Sequence, residues 1–344
     1  MRFPAAALLV ASLLSAAAPA AEEEPRPWSL DLTIHDFGIG IGNSRHVDGL
    51  RLNFRDTAPF VAHGVNATVW TPSQEASESE IVGLALGLPL TGAGRVRGLA
   101  LGLGAGAGKT IDGIGVGVLG VGSGGGLRGV HLGGLGAGTG GDIVGIAAGG
   151  LGVGAAGDAC GVLAGGLGAG AGGNFTGIGV GGLGIGAGGR LRGIAVGGLA
   201  AGSGGSVQGI AVGGLAAGSG GDVQGLIAGG LGAGAGGTIQ GVAIGGLGVG
   251  APRIQGLAVG LSAGGKVVQG VVLAPAYFHV MEDGQFEGFS VSAFNRVLGE
   301  QRGLAIGLVN YAARLRGVQI GLVNIAANNP AGLKVLPIAN AHFE

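Results

Sequence analysis

Apolar residues recur along most of this chain in pairs and alternations punctuated by glycine, at a fixed interval. GIAVGGLAAGSGGSVQ (Gly193 to Gln208) returns nearly unchanged as GIAVGGLAAGSGGDVQ (Gly209 to Gln224), which sets a sixteen-residue period. Lead glycines fall at 83, 98, 113, 129, 145, 161, 177, 193, 209, 225, 241, 256, 270, 288, 303 and 317, so the spacing is 16 in the middle and 14 to 18 towards the ends. A short fixed period describes a stack of like units, each burying its apolar face against its neighbours.

With the lead glycine as position 0, positions 1 and 3 are apolar (Ile194 and Val196, Ile210 and Val212, Val242 and Ile244) and positions 4 and 5 are Gly-Gly. Position 6 is leucine in Leu135, Leu151, Leu167, Leu183, Leu199, Leu215, Leu231 and Leu247. Positions 8 and 10 are small or apolar, position 14 is apolar (Leu191, Val207, Val223, Ile239), and position 15 is often Gln or Arg. Period-two alternation predicts strands, because the i, i+3, i+4, i+7 spacing of a helix never dominates. Each repeat is expected to hold two short strands and two turns, one at Gly-Gly and one near positions 11 to 13. Apolar parity changes from odd to even across Gly-Gly, so a chain that buries both sets must turn there. On this reading positions 1, 3, 6, 8 and 10 belong to the core, and the leucines form an internal ladder.

The fold class predicted is all-β: a β-solenoid of about 16-residue coils with atypical capping segments, its like residues stacked ~4.8 Å apart. The alternative is an outer-membrane β-barrel with one hairpin per repeat. A spanning strand needs about 9–11 residues, more than half a repeat supplies. Phe175 is moreover the only aromatic residue between Gly83 and Gly270.

Segments flanking the regular array differ from it. Residues 1–20, MRFPAAALLVASLLSAAAPA, combine Arg2, an apolar run and a small-residue Ala18-Pro19-Ala20 site, and read as a secretory signal peptide. The apolar run is shorter than the ~20 residues of a membrane anchor. Residues 28–80 are expected to form an N-terminal β cap or first atypical coils, ending in a polar loop, TPSQEASESE. Residues 81–270 carry the regular array, and 271–344 hold irregular coils and a C-terminal cap. An exported location follows: cell surface, outer membrane or periplasm.

Composition narrows the function classes. A net charge of −1 with 11% charged residues gives no electrostatic case for nucleic acid. The 87 glycines lack the every-third-residue period of collagen, and the chain is too apolar, at 47%, for disorder. Cys160 has no second cysteine to pair with, and is expected to be a small residue at a tolerant repeat position.

GEQRGLAIGLVNYA, LRGVQIGLVNIAANNP and the closing LPIANAHFE resemble the bacterial surface repeat-containing protein family, which carries tandem GVQIGLVN or GVQVGGLxN units behind a signal peptide. VDGLRLNF near the N-terminus is similar too. The resemblance implies an exported protein of the cell surface or outer membrane, without catalytic residues to carry over. The central array departs from the family: the Asn after the GGL element is replaced there by Gly or Ala, as at Gly232 and Ala216.

No catalytic, cofactor-binding or metal-ligating residue is assigned from the sequence. GxGxxG matches near Gly102 to Gly108 lack the strand-to-helix context of a dinucleotide site. The turn column Asp142, Asp158, Asn174, Arg190, Ser206 and Asp222 contains an arginine, which excludes a calcium array. The histidines His35, His46, His63, His131, His279 and His342 show no recognised metal spacing, and Asp31, His35 and Asp36 read as exposed polar residues. Gln208, Gln224, Gln240, Gln255 and Gln269 form one polar ladder, joined by Arg97, Arg128 and Arg192. The function expected is a non-enzymatic exported repeat protein serving as a structural or interaction scaffold. Its alternatives are an outer-membrane barrel or pore and, with too few grouped polar residues, a carbohydrate-active β-helix; no partner is identified.

Overall fold

The computed structural model describes residues 28–343, so the expected signal peptide lies outside the described residues. Strands make up 75% of it, wound into a β-solenoid of about 17 turns with about 16 residues per coil. Each central coil contributes a seven-residue strand, such as Leu191–Gly197 or Val207–Gly213, and a four-residue strand, such as Ala200–Ser203 or Ala216–Ser219. Like strands pair in parallel, Gly193 opposite Gly209 and Ala201 opposite Ala217, so each residue stacks on its counterpart one repeat away. This pairing overturns the barrel alternative, which would require antiparallel hairpins.

Side-chain placement corrects the expected core. The long strand runs from position 14 through position 4 of the next coil, and alternation along it turns positions 14, 2 and 4 inward. Ala195, Ala211, Ala243 and Ala258 at position 2 and Leu191, Val207, Val223 and Ile239 at position 14 are fully buried. From the short strand come Ala201, Ala217 and Val249 at position 8, and Ala187 at position 10, also buried. Positions 1, 3 and 6 face outward instead: Ile194 and Val196 are each 38% exposed, and Leu215 is 46% exposed. The Gly-Gly turn exists as expected, but the inward parity is even on both sides of it. A Cβ on Gly213 would overlap the carbonyl oxygen of Ala216, so the corner closes too tightly for a leucine to enter. The leucines do form a ladder, Leu N–H donating to the preceding Leu C=O at 2.6–2.8 Å, but it runs along the outer corner.

A lumen this narrow is filled by volume matching between neighbouring columns. Phe175 at position 14 is followed four residues on by Gly179, where a Cβ would stand 3.0 Å from the phenyl ring. Ala159, in the coil before, is followed by Leu163, both buried. Large beside small keeps the interior at close-packed density without widening the coil.

A second glycine requirement, not anticipated, lies at the lead position itself, within the long strand. Every lead glycine from Gly83 to Gly317 has φ between 111° and 152°, in a region that side chains strongly disfavour. Gly49 and Gly64 share it, with φ of 142° and 123°, and stack under Gly83. The stack therefore begins well before the regular array, with β1 (Ser29–Ile34), β2 (Phe37–Gly42), β3 (His46–Asn53), β4 (Val61–Thr68) and β5 (Glu80–Gly87). The polar loop before β5 contains a short 3-10 helix, Gln74–Glu78, pinned by buried Ala76.

Both ends depart from parallel stacking. β1 and β2 form an antiparallel hairpin, whose turn places His35 and Asp36 at positive φ, 51° and 65°. At the other end the closing strand Val335–His342 lies antiparallel on Val309–Ala326. Near each end the core turns polar. Arg51 is fully buried, donating to Asn66 at 2.9 Å and Ser44 O at 3.0 Å, paired with Asp56 and stacked 3.8 Å over Phe60. Towards the C-terminus, buried Asn295 donates to Asn310 and Asn310 to Asn324, each at 2.7 Å. Counting by register, Asn295 stacks on Phe278, Ala263, Val249 and Ala233 in turn. The array residues equivalent to these asparagines are thus the buried alanines Ala217 and Ala233, one position beyond Ala216 and Gly232.

Candidate functional face and polar sites

Outward positions on the long strand build parallel columns along the rod. In order across the face they are the Gln/Arg column, an Ile/Val column at position 1, a Val/Ala/Leu/Ile column at position 3, bare glycine at position 5, and the leucine corner. Exposure reaches 49% at Ile178, 48% at Val180 and 58% at Leu247. A shallow groove runs between the outer columns, walled by Val116, Leu132, Ala148, Ala164 and Val180 and floored by Gly-Gly pairs. Soluble monomers rarely expose a contiguous apolar patch beyond a few hundred Å². This one runs the length of the regular array.

Polar residues of the array serve its stacking. Asp142 Oδ1 accepts from the Asp158 backbone N–H at 2.8 Å, Asp158 from Asn174 at 2.6 Å, Asn174 from Arg190 at 2.9 Å, and Asp222 from Thr238 at 2.7 Å. Each turn carboxylate or amide thereby stitches its coil to the next, a role distinct from cation binding. The Gln/Arg column is linked in places by its own side chains, Arg192 donating to Gln208 at 3.1 Å and Gln255 to Gln269 at 3.0 Å. Cys160 occupies this column, exposed between Val144 and Thr176.

The histidines part company. His131 lies in the buried position-2 column, fully enclosed, with neither ring nitrogen hydrogen-bonded. Gly115 beneath it provides the space: a Cβ there would be 2.8 Å from His131 Nδ1. Burial holds the His131 pKa below the ordinary value of 6.5. His279 lies beside Tyr277, and His342 beside Asn329. His46 and His63, by contrast, are brought together with Asp48, their ligating atoms all within 4.8 Å of one another. Asp31, His35 and Asp36 are exposed as expected. The signal missed in the sequence is the register: Asp48 and His63 each immediately precede a lead glycine, Gly49 and Gly64, and so occupy one column.

Comparison with family models, with curated proteins and with solved structures yields no match. No helix among the described residues is long and apolar enough to cross a membrane.

Proposed function

We propose that the protein is a non-enzymatic, exported scaffold of the cell envelope, and that it assembles by packing its apolar face against the same face of a second copy. The face carries this reading. From Leu119 to Leu247 it extends over eight coil steps, ~38 Å at ~4.8 Å each, and its flat part is ~13 Å wide at ~3.3 Å per residue across positions 0 to 4, with the leucine corner beyond. That is about 500 Å² of flat face, to which the leucine corner adds, against the ~800 Å² per partner of a standard interface. Ridges of Ile and Val beside a glycine-floored groove are self-complementary under a two-fold axis. A lipid-binding face would be flanked by many Lys and Arg, whereas the column bordering this one holds two, Arg128 and Arg192, among Val144, Cys160, Thr176, Gln208, Gln224 and Gln240. Export is supported by the leader-like residues 1–20 and by the family resemblance.

Sedimentation of the purified protein tests the assembly. A dimer is expected, dissociating to a folded monomer in Ile178→Glu/Val180→Glu with an unchanged melting temperature. A wild-type monomer at about 100 µM, above any useful interface Kd, or flotation with neutral lipid vesicles in place of dimerisation, refutes it. Fractionation of expressing bacteria tests export, and retention in the cytoplasm counts against that part.

A further inference from the structure

We propose that His46, Asp48 and His63 bind a divalent transition-metal ion of the zinc type. Parallel pairing of β3 with β4 sets Asp48 directly opposite His63, one strand spacing apart. His46 precedes Asp48 by two residues, so alternation turns both side chains to the same outward face, with Val47 between them buried in the core. The three side chains therefore converge because of the register, and each sits on a strand that its neighbours hold in place.

The distances suit a shared ion. His63 Nδ1 is 2.7 Å and His46 Nε2 3.8 Å from the same oxygen, Asp48 Oδ1. Around zinc, bonds of ~2.0–2.1 Å in tetrahedral array put ligand atoms ~3.3 Å apart. One observed separation is slightly shorter and the other slightly longer, and side chains 40–50% exposed can rotate to close the difference. The imidazole rings stand edge to face, 82° apart with centroids at 5.6 Å, which leaves a nitrogen of each turned towards the carboxylate. A plain His–Asp hydrogen bond accounts for His63 alone; His46 Nε2, 3.8 Å from the same oxygen, is too far for such a bond but is placed to share an ion set between them.

Chemistry selects the class of ion. Two imidazoles and one carboxylate suit zinc, cobalt or nickel, whereas calcium and magnesium demand mostly oxygen ligands. Three protein ligands leave a fourth position for water. A cleft adjoining His46 is lined by Asp31 and Asp36, with Arg45 beside them, so further carboxylates face the approach to the site. An ion held here would tie two successive coils together close to the end of the stack.

Full-length protein lacking any affinity tag, stripped with chelator, tests the site by titration with Co²⁺, followed by visible absorption, and with Zn²⁺, followed by calorimetry. One equivalent per chain is expected, with the intense bands of low-coordinate cobalt. His46→Gln, Asp48→Asn and His63→Gln should each weaken uptake at least about tenfold, while His279→Gln leaves it unchanged. All four side chains are on the surface, and circular dichroism verifies that each variant keeps its fold. Uptake below about a tenth of an equivalent by the wild type, or unchanged affinity in the folded His63→Gln variant, overturns the proposal.

Discussion

Replacing Gly209 with alanine probes the close backbone stacking on which every coil depends. Gly209 has φ of 127°, and a Cβ there would overlap the carbonyl oxygen of Gly193 and lie 3.0 Å from its carbon and 3.1 Å from its nitrogen. All three atoms are backbone, so no side chain can swing aside; the coils must separate, weakening the ladder that joins them. A disfavoured backbone region costs about 1–3 kcal/mol and forced overpacking about 1–3 kcal/mol, giving a loss of about 2–6 kcal/mol. Gly218→Ala is the control, since an added Cβ there meets nothing within 4 Å. Relief of glycine's unfolded-state freedom should make that variant neutral or up to about 1 kcal/mol more stable. Urea unfolding of both variants and the wild type decides the matter. Equal stability of the two variants, or a Gly209→Ala loss within about 0.5 kcal/mol of zero, refutes the argument that the lead glycine is required by close stacking.

Further expectations concern the interior and its ends. Leu215→Arg, at the exposed corner, should change stability by less than about 0.5 kcal/mol, whereas Ala211→Leu in the fully buried column should cost at least about 1–3 kcal/mol by overpacking, both read by urea melts. His131 has a folded pKa below 6.5, so the unfolded chain binds more protons and stability is lost as pH falls through and below that value. His131→Ala should show a smaller drop in melting temperature between about pH 7 and about pH 5; an identical drop counts against a buried neutral imidazole. Asn310→Ala removes the donor to buried Asn324 Oδ1, while Asn295 Nδ2 keeps Ser292 O and Ile306 O, so a cost of about 1–3 kcal/mol for the one orphaned group is expected in the same unfolding experiment.

The period, the strands, the Gly-Gly corner and the solenoid itself were legible in the repeat, because so regular a recurrence leaves in-register stacking as its plainest reading. Which face points inward was not. The larger apolar residues, Leu215 and Ile210, read as core by size, yet strand alternation turns position 1 outward and the tight Gly-Gly corner keeps position 6 out, so Ala211 and Ala217 take the interior alongside position-14 residues such as Val207. Hydrophobicity ranks residues for burial only where the cavity can hold them. The cluster of His46, Asp48 and His63 was hidden for a different reason. Asp48 and His63 are far apart along the chain, in a stretch where lead spacing lengthens to 19 between Gly64 and Gly83, so the column emerges only once Gly49 and Gly64 are recognised as lead glycines. The Asn equivalence slipped by one position because the terminal coils lack one of the paired glycines.

Uniform pairing between Gly129 and Gly241, with every residue opposite its counterpart one repeat away, has a consequence for how such a protein can change. Inserting or removing one whole sixteen-residue unit shifts everything beyond it by one coil, ~4.8 Å along the axis, and leaves each remaining contact with an equivalent partner. Length is then adjustable in discrete steps independently of the two antiparallel ends. The chain behaves as a ruler whose graduations are copies of a single sequence, and its reach is recorded in the number of copies.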